Sequence, residues 1–374
     1  MKRSHFASLL LGLVLFLAQS LVAATYYVGS CENAAFSSIQ GAINAVAPGS
    51  IIDVCPGTYA EQITIPKSLT LRGTDRNGSS QVVIAVPSNG LATVPTLNFD
   101  QAAPQINVTA GPVNISNITV DGTASANCPT GNYIGIFYNS GSSGRVNEVE
   151  TRNQNCAASA GGVGIAAQNV AGAVQSVTVE NSNVNNNSFA GIFACSFQTP
   201  TTLNALIENN YVAGSDNGII AYCNVGGSVS DNVVLVGPNG VGLIANSPYS
   251  TVKGNTVIGG TAGIYLIGDA NVTVSDNTVV GATSYGIAVG TPGTVRSNQI
   301  TNIGQDAIYV YADGATVRSN IIFQSNVGIE FNCHTGTVTG NTINGTAAGF
   351  DEFPGTSTDG NLFQNVTTDT TGCS

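Results

Sequence analysis

From Asn210 onward an asparagine returns at nearly constant intervals inside one short pattern, built on V-x-x-N-x-(V/I/F). The positions are Asn210, Asn232, Asn255, Asn277, Asn298, Asn320, Asn341 and Asn361, separated by 22, 23, 22, 21, 22, 21 and 20 residues. A second pattern, G-I-x-apolar, starts at Gly135, Gly164, Gly191, Gly218, Gly242, Gly263, Gly286, Ala307, Gly328 and Gly349, with later spacings of 21 to 24. Two independent motifs sharing one period define a solenoid. Each contains short β-branched runs with period-two alternation, broken by Gly, Asn, Ser and Asp. About 22 residues suit three short strands and three turns, stacked about 4.8 Å from the next coil. The expected fold is all-β: a parallel β-helix with three strands per rung.

This architecture gives a lone amide among valines a reason to exist. Stacked once per rung, each asparagine can hydrogen-bond to its copy in the next coil, so the buried amide is satisfied by repetition. Asparagine also tolerates the backbone angles of a tight turn. Inward positions of the G-I strand form an aliphatic column: Ile136, Ile165, Ile192, Ile219, Leu243, Ile264, Ile287, Ile308 and Ile329, closed by Phe350. The ends of such a stack need protection. In "AFSSIQGAINAVAPG", Phe36, Ile39, Ile43 and Val46 fall at helical spacing before Pro48 and Gly49, which reads as a short N-terminal capping helix.

The first residues are of another kind. Lys2 and Arg3 precede an apolar run from Leu9 to Ala18 and the small-residue exit "SLVAA", a pattern expected of a secretory signal over residues 1–24. The domain expectation is then a cap over 25–60 and the β-helix over 61–374. It places the protein outside the cytoplasm, secreted or periplasmic, as a soluble chain and a monomer. The formal charge of −11 becomes −13 when Lys2 and Arg3 leave, which disfavours nucleic acid and anionic membranes. Of two histidines only His334 survives that removal, so His-rich zinc sites and His-based triads lack material.

Eight cysteines in an exported chain indicate disulfides. Cys31 and Cys55 flank the capping helix and are expected to bridge. Cys128 and Cys156 precede G-I strands by seven and eight residues, on neighbouring rungs within disulfide reach. Strict alternation points Cys195 and Cys223 to opposite faces, which weighs against a bridge between them. Cys333 with Cys373 would tie down the C-terminal tail.

The stretch Phe36–Gly73, "FSSIQGAINAVAPGSIIDVCPGTYAEQITIPKSLTLRG", resembles the N-terminal section of pectin methylesterases and bacterial right-handed β-helix proteins. The later repeats resemble those of the pectin lyase-like superfamily, and together they cover nearly the whole mature chain. The resemblance implies a right-handed coil and a polysaccharide-facing outer sheet, but not an activity, because one scaffold hosts many chemistries. The methylesterase DFIFG segment has no match, and "GFDEFPG" at Gly349 is not equivalent. The polygalacturonase NTD, GHG and RIK signatures are missing. No Lys or Arg falls on the strand where the superfamily's pectate lyases are implied to carry a base. The superfamily also includes periplasmic copper-assembly accessory proteins of nitrous oxide reductase, but one surviving histidine and one methionine argue against copper handling.

Outward positions of the G-I strand are expected to form a solvent-facing surface. One column reads Phe137, Ala166, Phe193, Ile220, Ile244, Tyr265, Ala288, Tyr309, Glu330 and Asp351. The next reads Asn139, Gln168, Cys195, Tyr222, Asn246, Ile267, Gly290, Tyr311 and Asn332. Carboxylates enter only in the last two rungs, with Asp306 and Asp313 in adjoining turns and His334 just beyond. The candidate substrate contacts are Tyr265, Tyr309, Tyr311 and Asn332, since aromatic rings stack on sugars. Glu330 and Asp351, one rung apart, are the candidate catalytic pair, at a spacing that suits a retaining hydrolase better than an inverting one. No cofactor is required, although these carboxylates could take calcium. Separately, Lys253, Arg296 and Arg318 share one column on a different face and could meet an acidic sugar or sulfate. The functional expectation is binding or processing of an extracellular polysaccharide by hydrolysis or lysis. The alternative is a non-catalytic surface or adhesive scaffold that binds other proteins.

Overall fold

The computed structural model describes residues 23–31, 33–74, 82–96, 101–123, 131–139, 141–155, 161–169, 174–196, 203–246, 250–268, 271–352 and 357–372. Residues 1–22 of the expected signal and the Cys128–Cys156 bridge lie outside them. The protein is a right-handed parallel β-helix. Right-handedness follows from the twist that governs any crossover between parallel strands of one sheet.

One coil shows the plan. Thr273–Ser275 lies in a first sheet, Asp276 and Asn277 turn the chain, Thr278–Val280 forms a short second strand, and Tyr285–Val289 is the G-I strand. Strands of the first type pair into one 14-stranded parallel sheet, and the other two types join in a 25-stranded assembly. Register is kept from coil to coil, as in Ile264↔Ile287, Ile287↔Ile308 and Ile308↔Ile329. The aliphatic column therefore stacks as the repeat demands. With Val252, Val274, Val295 and Val317 of the first sheet it fills one continuous core.

The asparagines form the ladder. Both the backbone N–H and the Nδ2 of Asn277 donate to Asn298 Oδ1, at 3.0 and 2.9 Å. Its own Oδ1 accepts the same two bonds from Asn255, at 2.9 and 3.0 Å. Nδ2 also reaches back to Val252 O at 3.1 Å. The pattern repeats to Asn361. One detail differs from the sequence expectation. The left-handed backbone belongs to the residue before each ladder asparagine, as at Asp231, Asp276, Ser297 and Ser319. Asn277 and its copies are selected for their side-chain amides and not for an unusual φ.

The glycine of the G-I pattern marks a corner where two strands nearly touch. A Cβ on Gly242 would sit 2.2 Å from Val257 Cγ1 and 2.5 Å from Gly263 O, and Gly191, Gly218 and Gly263 are equally crowded. The chain turns through this residue, and the residue before it faces outward.

The capping helix spans Ile39–Ala45, with Ile39, Ala42 and Ile43 buried against the first coil. Ser38 caps it by accepting from Gly41 N, and the Glu61 carboxylate accepts from Ile39 N and Gln40 N. These bonds satisfy donors that a helix start otherwise leaves open. Thr25–Val28, ahead of the helix, already pairs with Ile51–Val54 in the first sheet.

Cys31–Cys55 is formed, with Cα atoms 5.7 Å apart. So is Cys195–Cys223, at 5.3 Å, contrary to the alternation argument. Cys223 pairs in register with Ser196, but its φ of +66° turns the side chain back towards Cys195 at the strand end. Cys333 is also disulfide-bonded; Cys373 lies outside the described residues. Peptide mapping without reduction is expected to recover Cys31–Cys55 and Cys195–Cys223, and free thiols at these four positions would contradict the fold.

Candidate functional site

The outer G-I sheet keeps the expected columns in register, through Phe137↔Ala166, Phe193↔Ile220, Ile244↔Tyr265, Tyr309↔Glu330 and Glu330↔Asp351. It is not open along its whole length. Phe137, Ala166, Phe193 and Ile220 are buried and join Ile134, Val163, Ala190 and Cys195 in a second apolar cluster outside the coil, with Val94 packed against it. The strand Val94–Pro95 pairs antiparallel with Gln101–Val108, so this part of the face carries added chain. The expectation of a solvent-facing sheet is corrected for its N-terminal half. Apolar outward residues there are a covered core.

The face opens where the tyrosines begin. Tyr285 stacks on Tyr309 with ring centroids 4.7 Å apart and 18° between planes. Tyr309 continues to Tyr311 at 5.8 Å, and Tyr311 to Tyr265 at 6.1 Å. Four rings from four points on three coils thus make one connected row. All four are half-buried. Gly290 makes room for it, because a Cβ there would lie 2.3 Å from Tyr311 Cζ and Oη. Tyr311 leans back across that glycine and donates its hydroxyl to Leu266 O at 3.1 Å.

Two members of this site escaped the sequence columns, Tyr285 and Asp306. Both immediately precede the motif's Gly286 or Ala307, and they pair in register with each other. Alternation counted back from Ile287 and Ile308 sends them inward; the corner at Gly286 and Ala307 sends Tyr285 outward. Asp306 is moreover a strand residue, Asp306–Val310, and only 7% exposed, rather than part of an adjoining turn. The signal that could have found this column is the corner glycine itself.

The electrostatics tie the acids to the rings. The phenol of Tyr285 is held above its ordinary pKa by burial, then by the negative charge of Asp306 and Glu330. Tyr309 is raised by burial, then by Tyr285, Glu330 and Asp306. Burial, with a hydrogen bond to Tyr265, raises Tyr311 further. The phenols therefore stay protonated at neutral pH, as O–H groups that both donate and accept. Because the rings stack on one another, much of what they offer a ligand is their edges and hydroxyls.

Glu330 lies half-buried beside this row. Asp351 is placed by its backbone one rung further on, opposite Glu330; its side chain is outside the described residues. Asn332 is exposed in the turn that follows, with Cys333 also at positive φ. Asp313 accepts from Thr335 N at 2.8 Å and Thr335 Oγ1 at 2.9 Å, which holds its carboxyl below the usual range, and His334 Nδ1 stands 3.6 Å from it.

Comparison with known proteins agrees on the scaffold. A family profile described as periplasmic copper-binding protein (NosD) matches residues 196–356. No curated protein matches. Among solved structures, the A-module of a mannuronan C-5 epimerase from Azotobacter vinelandii is 17% identical over 89% of this chain and 90% of that one, with a TM-score of 0.57. A periplasmic alginate epimerase is 11% identical over 89% and 83%, at 0.59. A lacto-N-biosidase from Eubacterium ramulus is 11% identical over 92% and 68%, at 0.53. These likenesses are to right-handed parallel β-helices, the fold that the pectin lyase-like resemblance implied.

The donor set does not fit the copper of the matched profile's description. The sole methionine is Met1, His334 is the single histidine of the matched segment, and Cys223 and Cys333 are bound in disulfides. Copper sites draw on imidazole, thiolate and thioether. Among the described residues no three of His, Cys, Asp and Glu gather where they could hold a metal ion.

Proposed function

We propose that the protein is an extracytoplasmic polysaccharide-binding β-helix, whose ligand lies on the C-terminal half of the outer G-I sheet. The observation that carries this is the tyrosine row Tyr285–Tyr309–Tyr311–Tyr265 with Asp306 and Glu330 beside it. Aromatic edges and phenol hydroxyls suit the mixed apolar and hydroxyl surface of a sugar ring. The carboxylates accept hydrogen bonds from sugar hydroxyls, which favours neutral, hydroxyl-rich residues over charged ones here. Asn332 extends the contact beyond the strand. Formed disulfides support export, since such bonds persist in oxidising compartments. No helix among the described residues is long and apolar enough to cross a membrane. The structural neighbours include proteins named for action on mannuronan and alginate.

A second reading is turnover, favoured by one observation. Glu330 and Asp351 stand on paired positions of adjacent rungs, about 4.8 Å apart along the stack, a separation that suits a nucleophile and an acid–base partner. Calcium held by these acids would support either reading.

The test uses a glycan identified on an array. Tyr309→Ala is expected to weaken binding about tenfold, as loss of one aromatic contact of ~1.4 kcal/mol implies. Glu330→Gln and Asp351→Asn keep shape while removing charge. If they abolish product formation with affinity retained, the face is catalytic. If no glycan binds, or all three variants equal wild type, the assignment fails and a protein-binding scaffold takes its place.

A further inference from the structure

The cations of this acidic chain are unevenly served. Among the described residues, Arg72 pairs with Asp53, Arg145 with Glu180, and Arg152 with Asp121 and Glu150. Lys67 donates to Val46 O at the end of the capping helix. The side chains of Lys253, Arg296 and Arg318 make no ion pair or hydrogen bond among the described residues. All three lie in one column on the outside of the first sheet, in the order Lys253↔Ser275↔Arg296↔Arg318. Arg296 and Arg318 are direct register partners, and like charges placed so are destabilising unless a counter-charge arrives. A chain with 21 acidic and 10 basic residues has acids to spare, yet none among the described residues stands within ion-pair reach of them.

Three further features shape the strip. Ser275 lies between Lys253 and Arg296, 1% exposed, and its hydroxyl has no hydrogen-bond partner among the described residues. Thr294 and Thr316, half-buried register partners on the same face, line the strip beside the arginines. Acids bound it at both ends, Glu208 two rungs before Lys253 and Asp359 two rungs after Arg318. The strip is therefore four coils long, with Arg296 and Arg318 one strand spacing of about 4.8 Å apart and Lys253 two spacings before Arg296.

From this geometry we infer a second glycan site, separate from the tyrosine face and specific for an anionic polysaccharide. Its ligand carries a carboxylate or sulfate on successive sugars and runs parallel to the coil axis. One sugar of an extended chain is close in length to one rung, so neighbouring anionic groups meet Arg296 and Arg318 in turn. A guanidinium binds either anion through paired N–H donors. The hydroxyls of Thr294 and Thr316 supply uncharged contacts beside the charges. The tyrosine face, lined by Asp306 and Glu330, repels the same ligand. The two surfaces thus select chains of opposite character.

Affinity electrophoresis with polygalacturonate, dextran sulfate, unsubstituted dextran and single-stranded poly(dT) tests this. Wild type is expected to be retarded by polygalacturonate or dextran sulfate, and whichever acts identifies carboxylate or sulfate as the anion. Retardation should fall as salt is raised, because the contacts are charged and exposed. Arg296→Gln with Arg318→Gln should lower that affinity about tenfold or more, since two charge-assisted contacts are lost, while the melting temperature of the free protein is not lowered, since a like-charge contact is removed. Tyr309→Ala should leave it unaffected, which keeps this site distinct from the tyrosine face. The inference is overturned if neither anionic glycan retards the protein or if the double variant behaves as wild type. It is also overturned if poly(dT) is retarded as strongly as the glycan, which would show attraction to any polyanion.

Discussion

Asn277→Ala is expected to lower the free energy of unfolding by about 3–4 kcal/mol, because several buried groups lose partners at about 1–3 kcal/mol each. The substitution removes the acceptor used by both Asn255 N and Asn255 Nδ2, and the donor that reaches Val252 O. No water can replace them, since Asn255, Asn277 and Asn298 are all buried. Asn361→Ala provides the internal comparison. That residue closes the ladder and is half-exposed, so its loss should cost about 1 kcal/mol, the ordinary net worth of a solvated hydrogen bond. Urea titration of both variants checks the claim. Equal midpoints for Asn277→Ala and wild type would show that the ladder does not hold the coils together.

Gly242→Val is expected to destabilise by about 3 kcal/mol, at the upper end of what overpacking a filled core costs. Its Cβ alone would stand 2.2 Å from Val257 Cγ1 and 2.5 Å from the carbonyl oxygen of Gly263. One obstacle is backbone of the next coil, so no rotamer change relieves it. Ala307 occupies the equivalent place in its own coil and is buried, which shows that the corner can be built around a single methyl. Gly242→Ala should accordingly be milder, near 1 kcal/mol. Thermal melts of the two variants beside wild type give the ranking, and a valine variant that melts with wild type would refute the crowding argument.

The coil was legible because its determinants repeat. Asn277, Ile287 and Val274 each have copies one period away, and copies that must stack leave little freedom of register. The capping helix was legible for a different reason, its apolar spacing and its Pro48–Gly49 stop. Legibility failed where the chain departs from periodicity. Nothing in Phe137, Ala166 or Phe193 announces that other chain covers them, because what covers a face lies in aperiodic segments such as Val94–Pro95. Tyr285 was not among the columns and Asp306 was assigned to a turn, because both precede a corner that breaks the alternation. Cys223 was misjudged likewise, since its positive φ ends the strand's two-residue rhythm. Tyr309, Tyr311, Tyr265 and Glu330 were found because they lie on the regular side of the corner.

The bonds between ladder asparagines all run one way along the coil axis. Each asparagine finds its side-chain amide acceptor on the coil that follows it, as Asn277 does on Asn298 and Asn298 on Asn320. A coil that winds before its successor therefore cannot complete its own ladder bonds until that successor has wound beneath it. The advancing edge always carries one unmet pair of N–H groups, moved forward by a coil at each step. The unfinished helix is thus equally incomplete at every length, and its growth behaves like a zipper whose open tooth travels with the slider.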